Sequence, residues 1–167
     1  MGGRSQVKLV VLVLEDEPGV RDALVRDLGE FRDTVRVEAA DDVPDARAVL
    51  EEIAAEGDLL ALVLADHRLP GVTGVDFLVE LHHQRGTAAT RKVLVTGQAD
   101  LDDTVRAVNA AGLDRYIAKP WDPDELAAVV RDQLSAFVVD TGMDPLPHLR
   151  VLDPERVLPA LRDRGDR

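Results

Sequence analysis

The sequence contains no cysteine and few aromatic residues, and both absences limit what the protein can be. Without cysteine it has no disulfide bond, no thiolate nucleophile and no thiolate metal ligand. The absence of cysteine also fits a cytoplasmic location. Aromatic residues make up 3% of the 167 residues while hydrophobic residues make up 46%, so the core must consist mainly of valine, leucine and alanine.

Positive charge and long apolar runs are scarce as well. The 20 basic residues are outnumbered by 32 acidic ones, and the net charge of −12 argues against the basic face that nonspecific nucleic-acid binding requires. No apolar run approaches the ~20 residues of a membrane-spanning helix. Residues 1–6 lack the apolar region of a signal peptide and are interpreted as a loose N-terminus. We therefore expect no direct DNA binding and no membrane association.

Short apolar segments alternate with helical patterns five times along the chain. The predicted strands are residues 7–14, 35–39, 59–65, 92–96 and 115–118. The predicted helices begin near residues 18, 44, 74, 101 and 123 and end near residues 28, 56, 83, 111 and 139. Regular alternation with short connections predicts a parallel sheet that is flanked by helices.

Four predicted strands end in polar residues that would meet at one edge of this sheet. The first strand runs into Glu15-Asp16, the third into Asp66, the fourth into Thr96-Gly97 and the fifth into Lys119-Pro120. Open α/β sheets bind their ligands at the carboxyl ends of their strands. Each residue alone has an ordinary explanation as a cap, turn or surface residue, so the functional prediction depends on their order and shared position.

This order of an acidic pair, a lone Asp, a Thr and a Lys-Pro pair resembles the receiver domain of two-component response regulators over residues 7–139. The resemblance implies an α/β, flavodoxin-like, doubly wound sheet of five parallel strands in the order 2-1-3-4-5, with five helices. It also implies a phosphorylation-dependent switch that takes a phosphoryl group from a sensor histidine kinase or a phosphotransfer protein. The switch would then act on a downstream protein target. Self-phosphorylation and self-dephosphorylation are the only enzymatic activities expected.

The resemblance assigns the phosphoacceptor and the metal site. Asp66 matches the acceptor, and Mg²⁺ or Mn²⁺ would be held by Glu15, Asp16, Asp66 and the backbone carbonyl of Arg68. A divalent cation is chemically reasonable here because a dianionic phosphoryl group must approach a carboxylate.

The remaining family positions surround the phosphoryl group or the water that removes it. Thr96, Gly97, Lys119 and Tyr116 match the residues that bind the phosphate and switch with it. The family holds the bond between Lys119 and Pro120 in the cis form. Arg68 and Gln98 match the positions that flank the attacking water and tune the lifetime of the phosphoryl group. The histidines are assigned no role, although contact between His67 and the site is left open.

Two other functions are weighed against this one. An unphosphorylated pseudo-receiver would act only as an interaction module, yet every expected site residue is present. A metal-dependent phosphohydrolase with an Asp nucleophile usually carries a second Asp two residues later, where this chain has Arg68.

Residues 140–167 have no counterpart in a minimal receiver. They carry four prolines between residues 145 and 159 and seven aliphatic residues between 146 and 161. We predict an extended apolar tail with at most a short, broken helix, because Pro159 would interrupt the first turns. The tail is too short for a DNA-binding output domain. Packing near the fifth helix is favoured, and a homodimer through the fourth helix, fifth strand and fifth helix is left open, as is membership of a longer regulator.

Overall fold

A five-stranded parallel sheet with strand order β2-β1-β3-β4-β5 forms the centre of the computed structural model, which describes residues 6–97 and 101–165. The strands are β1 (Leu9–Leu14), β2 (Arg36–Ala40), β3 (Leu59–Ala65), β4 (Arg91–Thr96) and β5 (Arg115–Ala118). The predicted fold class and strand order are confirmed, and the predicted strand boundaries agree within two residues.

Helices cover both faces of the sheet. The α-helices in the described part of the chain are α1 (Pro18–Asp27), α2 (Val43–Ala55), α3 (Gly74–His83), α4 (Leu101–Ala111), α5 (Pro123–Thr141) and α6 (Pro154–Gly165). Two 3-10 segments occupy Gly29–Phe31 and Leu146–Val151. None of the described helices has the length and apolar character needed to cross a membrane.

The sheet separates two layers of apolar packing. On one side, α1 and α5 pack against alternate residues of the central strand β1, including Val11 and Val13. On the other side, α2, α3 and α4 pack against the intervening residues, including Val10 and Leu12. All six residues of β1 are buried, as expected for a strand covered on both faces.

Strand pairing brings the predicted polar residues to one edge of the sheet. Leu14 of β1 lies beside Ala65 of β3, and Thr96 of β4 lies beside Ala118 of β5. β4 extends two residues beyond the end of β3, because Ala65 lies beside Leu94. The residues that follow these strands therefore lie along one rim of the sheet. The register of the sheet therefore positions the candidate site.

The prediction of an extended tail is wrong. The segment Leu146–Val151 forms a 3-10 helix, and α6 runs for 12 residues through Pro159. Pro154 occupies the first helical position, where its missing N–H costs nothing, and the Asp153 carboxylate accepts a hydrogen bond from the Glu155 backbone N–H at 3.0 Å. Glu155 and Pro159 are both exposed, so water can serve the carbonyl that Pro159 leaves without a donor.

The extension packs against α5, as the sequence analysis favoured. Val151, Leu152 and Val157 are buried in the same apolar cluster as Leu134 and Phe137 of α5. Polar contacts add to this packing, because the hydroxyl of Ser135 accepts a hydrogen bond from the Asp153 backbone N–H at 2.7 Å. The extension is thus part of the α1 and α5 layer.

Adjacent residues of α6 provide a direct test of this packing. Val157 is fully buried whereas Leu158 is 45% exposed. We expect Val157→Ala to lower the free energy of unfolding by about 2 kcal/mol, because it removes buried methyl groups and leaves a cavity. Leu158→Ala is the matched control and should change it by less than ~0.5 kcal/mol. Chemical denaturation of both variants makes the comparison, and equal stability losses would contradict the docked position of α6.

Candidate functional site at the carboxyl edge of the sheet

The ammonium group of Lys119 lies between two buried carboxylates. Its Nζ donates to Oε2 of Glu15 at 2.9 Å and to Oδ2 of Asp66 at 3.1 Å. Glu15 is 1% exposed and Asp66 is 7% exposed. One cation therefore links the residues that follow β1, β3 and β5.

Backbone hydrogen bonds continue past the strand ends and hold these three residues in place. The N–H of Glu15 donates to the carbonyl of Ala40, and the N–H of Asp66 donates to the carbonyl of Leu14, each at 3.0 Å. The N–H of Lys119 donates to the carbonyl of Thr96 at 3.1 Å. The backbone of all three residues is consequently an extension of the sheet rather than free loop.

Burial and charge shift the pKa values of this group in ways that follow from its geometry. Burial raises the pKa of Glu15, the hydrogen bond from Lys119 opposes that rise, and the nearby charge of Asp66 adds to it. Burial alone would lower the pKa of Lys119, but its hydrogen bonds to Glu15 and Asp66 outweigh burial, and the pKa is raised. Lys119 is therefore held as a cation by the acids that it separates.

Three carboxylates converge beside this lysine. Glu15, Asp16 and Asp66 each offer an oxygen, and these oxygens all lie within 4.8 Å of one another. Asp16 is exposed, so the cluster can be reached from solvent. Hard oxygen donors of this kind suit Mg²⁺ or Mn²⁺, and three acids facing one lysine leave negative charge that a divalent cation would offset. The residues present therefore fit the expected metal.

A surface depression of about 390 Å³ opens over Asp66. It is lined by Asp66, Arg68, Thr96, Gly97 and Lys119. The Arg68 backbone N–H lies 3.4 Å from Oδ1 of Asp66. A Cβ added at Gly97 would come no closer than 4.0 Å to the Lys119 side chain. The depression therefore brings the Asp66 carboxylate, Thr96 and the Lys119 cation together with the backbone of Gly97, next to open space.

The other predicted residues lie around this depression. Thr96 is buried, and its backbone carbonyl accepts a hydrogen bond of 3.4 Å from the hydroxyl of Tyr116, which is 38% exposed. The bond between Lys119 and Pro120 is cis. Gln98 lies outside the described residues.

Sequence reasoning missed two residues that position the site. Gly74 begins α3, and a Cβ added there would lie 1.8 Å from the backbone oxygen of Asp66. Arg21 of α1 donates to the backbone carbonyl of Glu15 at 3.0 Å. The turn residues before α3 gave a signal for Gly74, but no pattern in the sequence marks Arg21 as different from a surface arginine.

Comparison with known proteins shows which family has this arrangement. The family model of the response regulator receiver domain matches residues 11–131. The chain belongs to this family. A solved receiver domain of a response regulator (CheY-like) from Methanospirillum hungatei superimposes with a TM-score of 0.68 at 27% identity, covering 81% of this chain and 99% of that one.

Curated relatives of this receiver domain are longer proteins. It is 35% identical over 161 residues to the hydrogenase transcriptional regulatory protein HoxA of Cupriavidus necator, a match that covers 96% of this chain and 30% of that protein. It is 33% identical over 128 residues to the response regulator Rre1 of Synechocystis, covering 75% of this chain and 51% of the relative. The chain thus spans about half or less of these relatives, and the HoxA match reaches into the extension after α5.

The close approach of Gly74 to Asp66 yields a stability prediction. Gly74→Ala should lower the free energy of unfolding by about 1–3 kcal/mol, because the new Cβ forces α3 or the Asp66 backbone to shift. Gly19→Ala is a suitable control, since a Cβ there meets nothing within 4 Å and alanine favours the helix. We expect the control to be neutral or stabilised by about 0.5 kcal/mol. Urea titrations that rank the two variants equally would refute the tight contact.

Proposed function

We propose that this receiver domain accepts a phosphoryl group on Asp66 from a phosphohistidine of a sensor histidine kinase or phosphotransfer protein. A carboxylate oxygen of Asp66 attacks phosphorus, the bond from phosphorus to the imidazole nitrogen breaks, and the imidazole leaves with the electron pair. The observation that carries the proposal is the contact of the Lys119 ammonium with Asp66 at the floor of an open depression.

The charge of the incoming group explains the composition of the site. Glu15, Asp16, Asp66 and the backbone carbonyl of Arg68 would hold Mg²⁺ or Mn²⁺. When bound, the cation neutralises charge that builds up between the carboxylate and the phosphoryl oxygens. The convergence of the three carboxylates within 4.8 Å supports this assignment.

Lys119 and Thr96 have complementary roles in this proposal. The raised pKa of Lys119 keeps its ammonium charged, so that it can pair first with Asp66 and then with a phosphoryl oxygen. Glu15 holds the lysine in place through its own hydrogen bond to the ammonium. The Thr96 hydroxyl donates to a second phosphoryl oxygen, and Gly97 leaves space beside it.

The lifetime of the phosphoryl group would be set at the rim of the depression. Arg68 is exposed and lines the depression, where it can shield the phosphoryl group from water. Gln98 is assigned the complementary role of orienting water, on the resemblance alone. No observation on the described residues favours the pseudo-receiver or the phosphohydrolase.

Output would pass through protein contacts. Val105 and Val108 of α4 and Tyr116 of β5 are exposed, and the Tyr116 hydroxyl contacts the Thr96 carbonyl. These exposed side chains are available to a downstream protein or to a second copy of the chain. The relative HoxA is named as a transcriptional regulatory protein, and it extends well beyond the matched region. We propose that this receiver portion itself makes no direct DNA contact, in line with its charge of −12.

Intact mass measurement tests the acceptor. Incubation with phosphoramidate or acetyl phosphate and Mg²⁺ should add one phosphoryl group to the wild type and none to Asp66→Asn, because the amide is not a nucleophile. Asp163→Asn is the control, as this exposed residue lies on α6, away from the site. A phosphoryl group that persists on Asp66→Asn would overturn the assignment.

Calorimetric titration tests the metal ligands. Asp16→Ala should weaken Mg²⁺ binding by roughly tenfold or more, about 1.4 kcal/mol, because it removes a direct ligand. Glu15→Gln should weaken binding less, since Glu15 already pairs with Lys119. Without Mg²⁺, Asp16→Ala should melt at a higher temperature than the wild type, because carboxylate repulsion is relieved. Equal Mg²⁺ affinity in Asp16→Ala and the wild type would rule Asp16 out as a ligand.

A further inference from the structure

The imidazole of His67 links the candidate acceptor loop to α4. His67 directly follows Asp66, and its Nε2 lies 3.0 Å from Oδ2 of Asp103 in the first turn of α4. The His67 side chain is 14% exposed and the Asp103 side chain is 35% exposed. Among the described residues, the buried Nδ1 has no hydrogen-bond partner, so Nε2 provides the polar contact of the ring.

The backbone of His67 is fixed to that of Asp66. The carbonyl of His67 accepts hydrogen bonds from the N–H of Leu69 at 3.1 Å and from the N–H of Gly74 at 3.0 Å. Gly74 in turn lies so close to the Asp66 carbonyl that a Cβ would not fit between them. The His67 ring is therefore attached to a loop whose backbone is fixed by these contacts, and a shift of the Asp66 backbone must also shift the ring.

The helix at the other end of this contact buries small apolar side chains where its neighbour α3 buries large ones. Among the described side chains of α4, the buried apolar ones are Ala107 and Ala111, whereas α3 buries Phe77, Leu78 and Leu81. Alanine buries little apolar surface, so it contributes less packing energy than leucine or phenylalanine. Contacts at the start of α4 therefore have a larger share in fixing its position.

A second ion pair between α3 and α4 serves for comparison. Nη2 of Arg106 lies 2.5 Å from Oδ1 of Asp76, and their side chains are 50% and 43% exposed. Exposed pairs of this kind contribute little to stability because water and salt screen them. The pair of His67 and Asp103 is more deeply buried and is joined in sequence to Asp66, whereas the exposed pair is not.

We infer that His67 is a positioning residue that couples the phosphorylation state of Asp66 to the position of α4 through Asp103. This inference rests on the proposed function. A phosphoryl group on Asp66 alters the loop that carries the His67 ring, and the contact between the ring and the Asp103 carboxylate transmits that change to the first turn of α4. Without this contact, Asp66 still accepts the phosphoryl group, but α4 responds less to it.

Hydrogen exchange of the full chain measures this coupling. The amides of α4 are compared with and without phosphoramidate and Mg²⁺, and intact mass reports phosphoryl uptake in the same samples. In the wild type, we expect phosphorylation to change exchange in α4 severalfold. His67→Ala and Asp103→Ala should each reduce that change at least fivefold while phosphoryl uptake continues. The double variant should lose no more than either single one, because both single substitutions remove the same contact.

Two further variants separate coupling from simple stabilisation. His67→Gln places an amide N–H near the position of Nε2 and should restore most of the α4 response. Arg106→Ala removes the exposed pair with Asp76 and should leave the response within twofold of the wild type. If the alanine variants acted only by lowering stability, Arg106→Ala would also reduce the α4 response and His67→Gln would not restore it. Retention of the response in both variants is therefore specific to the coupling role.

The outcomes distinguish the inference from the function on which it rests. If the alanine variants take up the phosphoryl group and α4 responds as in the wild type, the coupling role is wrong and the proposed function stands. If α4 does not respond in the wild type although Asp66 is phosphorylated, the coupling role is wrong as well. If the wild type takes up no phosphoryl group, both are overturned.

Discussion

The placement of one ammonium group between two buried carboxylates is the constraint on which the site depends. Lys119 contacts Glu15 and Asp66, which follow different strands, so its position depends on the order and register of β1, β3 and β5 in the sheet. Acids this deeply buried would be unfavourable as anions without a partner. The lysine offsets part of their charge, and the sheet supplies the rigid frame that a shared, buried ion pair requires. Negative charge that remains after this pairing is what makes the site receptive to a divalent cation.

The strand ends explain why much of this site could be predicted from the sequence. Asp66 and Lys119 each follow a short apolar segment, and parallel pairing brings such ends together without any further information. The contacts made by Gly74 and His67 are different, because they depend on how closely α3 approaches β3 and where α4 begins. Those distances follow from three-dimensional packing, and no spacing along the chain encodes them. The helix of the extension was missed for a related reason, since the burial of Val157 and the exposure of Pro159 outweigh the local preference of proline.

The helices α5 and α4, on opposite sides of the sheet, differ in the size of the apolar side chains that they bury. On one side, α5 buries leucine, valine and phenylalanine side chains and is covered further by the extension through Val151, Leu152 and Val157. On the other side, the buried apolar side chains of α4, among those described, are alanines, and valines of the same helix face solvent. If Asp66 is phosphorylated as proposed, the change at the rim would act on both layers, and α4 would be displaced more easily than α5 because its described buried side chains are smaller.

Because of this difference between α4 and α5, the extension affects how the helices can move as well as how stable the fold is. Arg131 of α5 donates both to Glu30, next to α1, and to the backbone carbonyl of Arg150 in the extension. These contacts are exposed and contribute little because water and salt screen them. The buried packing of Val151, Leu152 and Val157 against α5 is therefore what resists a shift of this helix. Under the proposed coupling role of His67, a change that starts at Asp66 would meet less resistance towards α4 than towards α5. The direction of the response would then depend both on the helix that the extension holds in place and on the loop that the site moves.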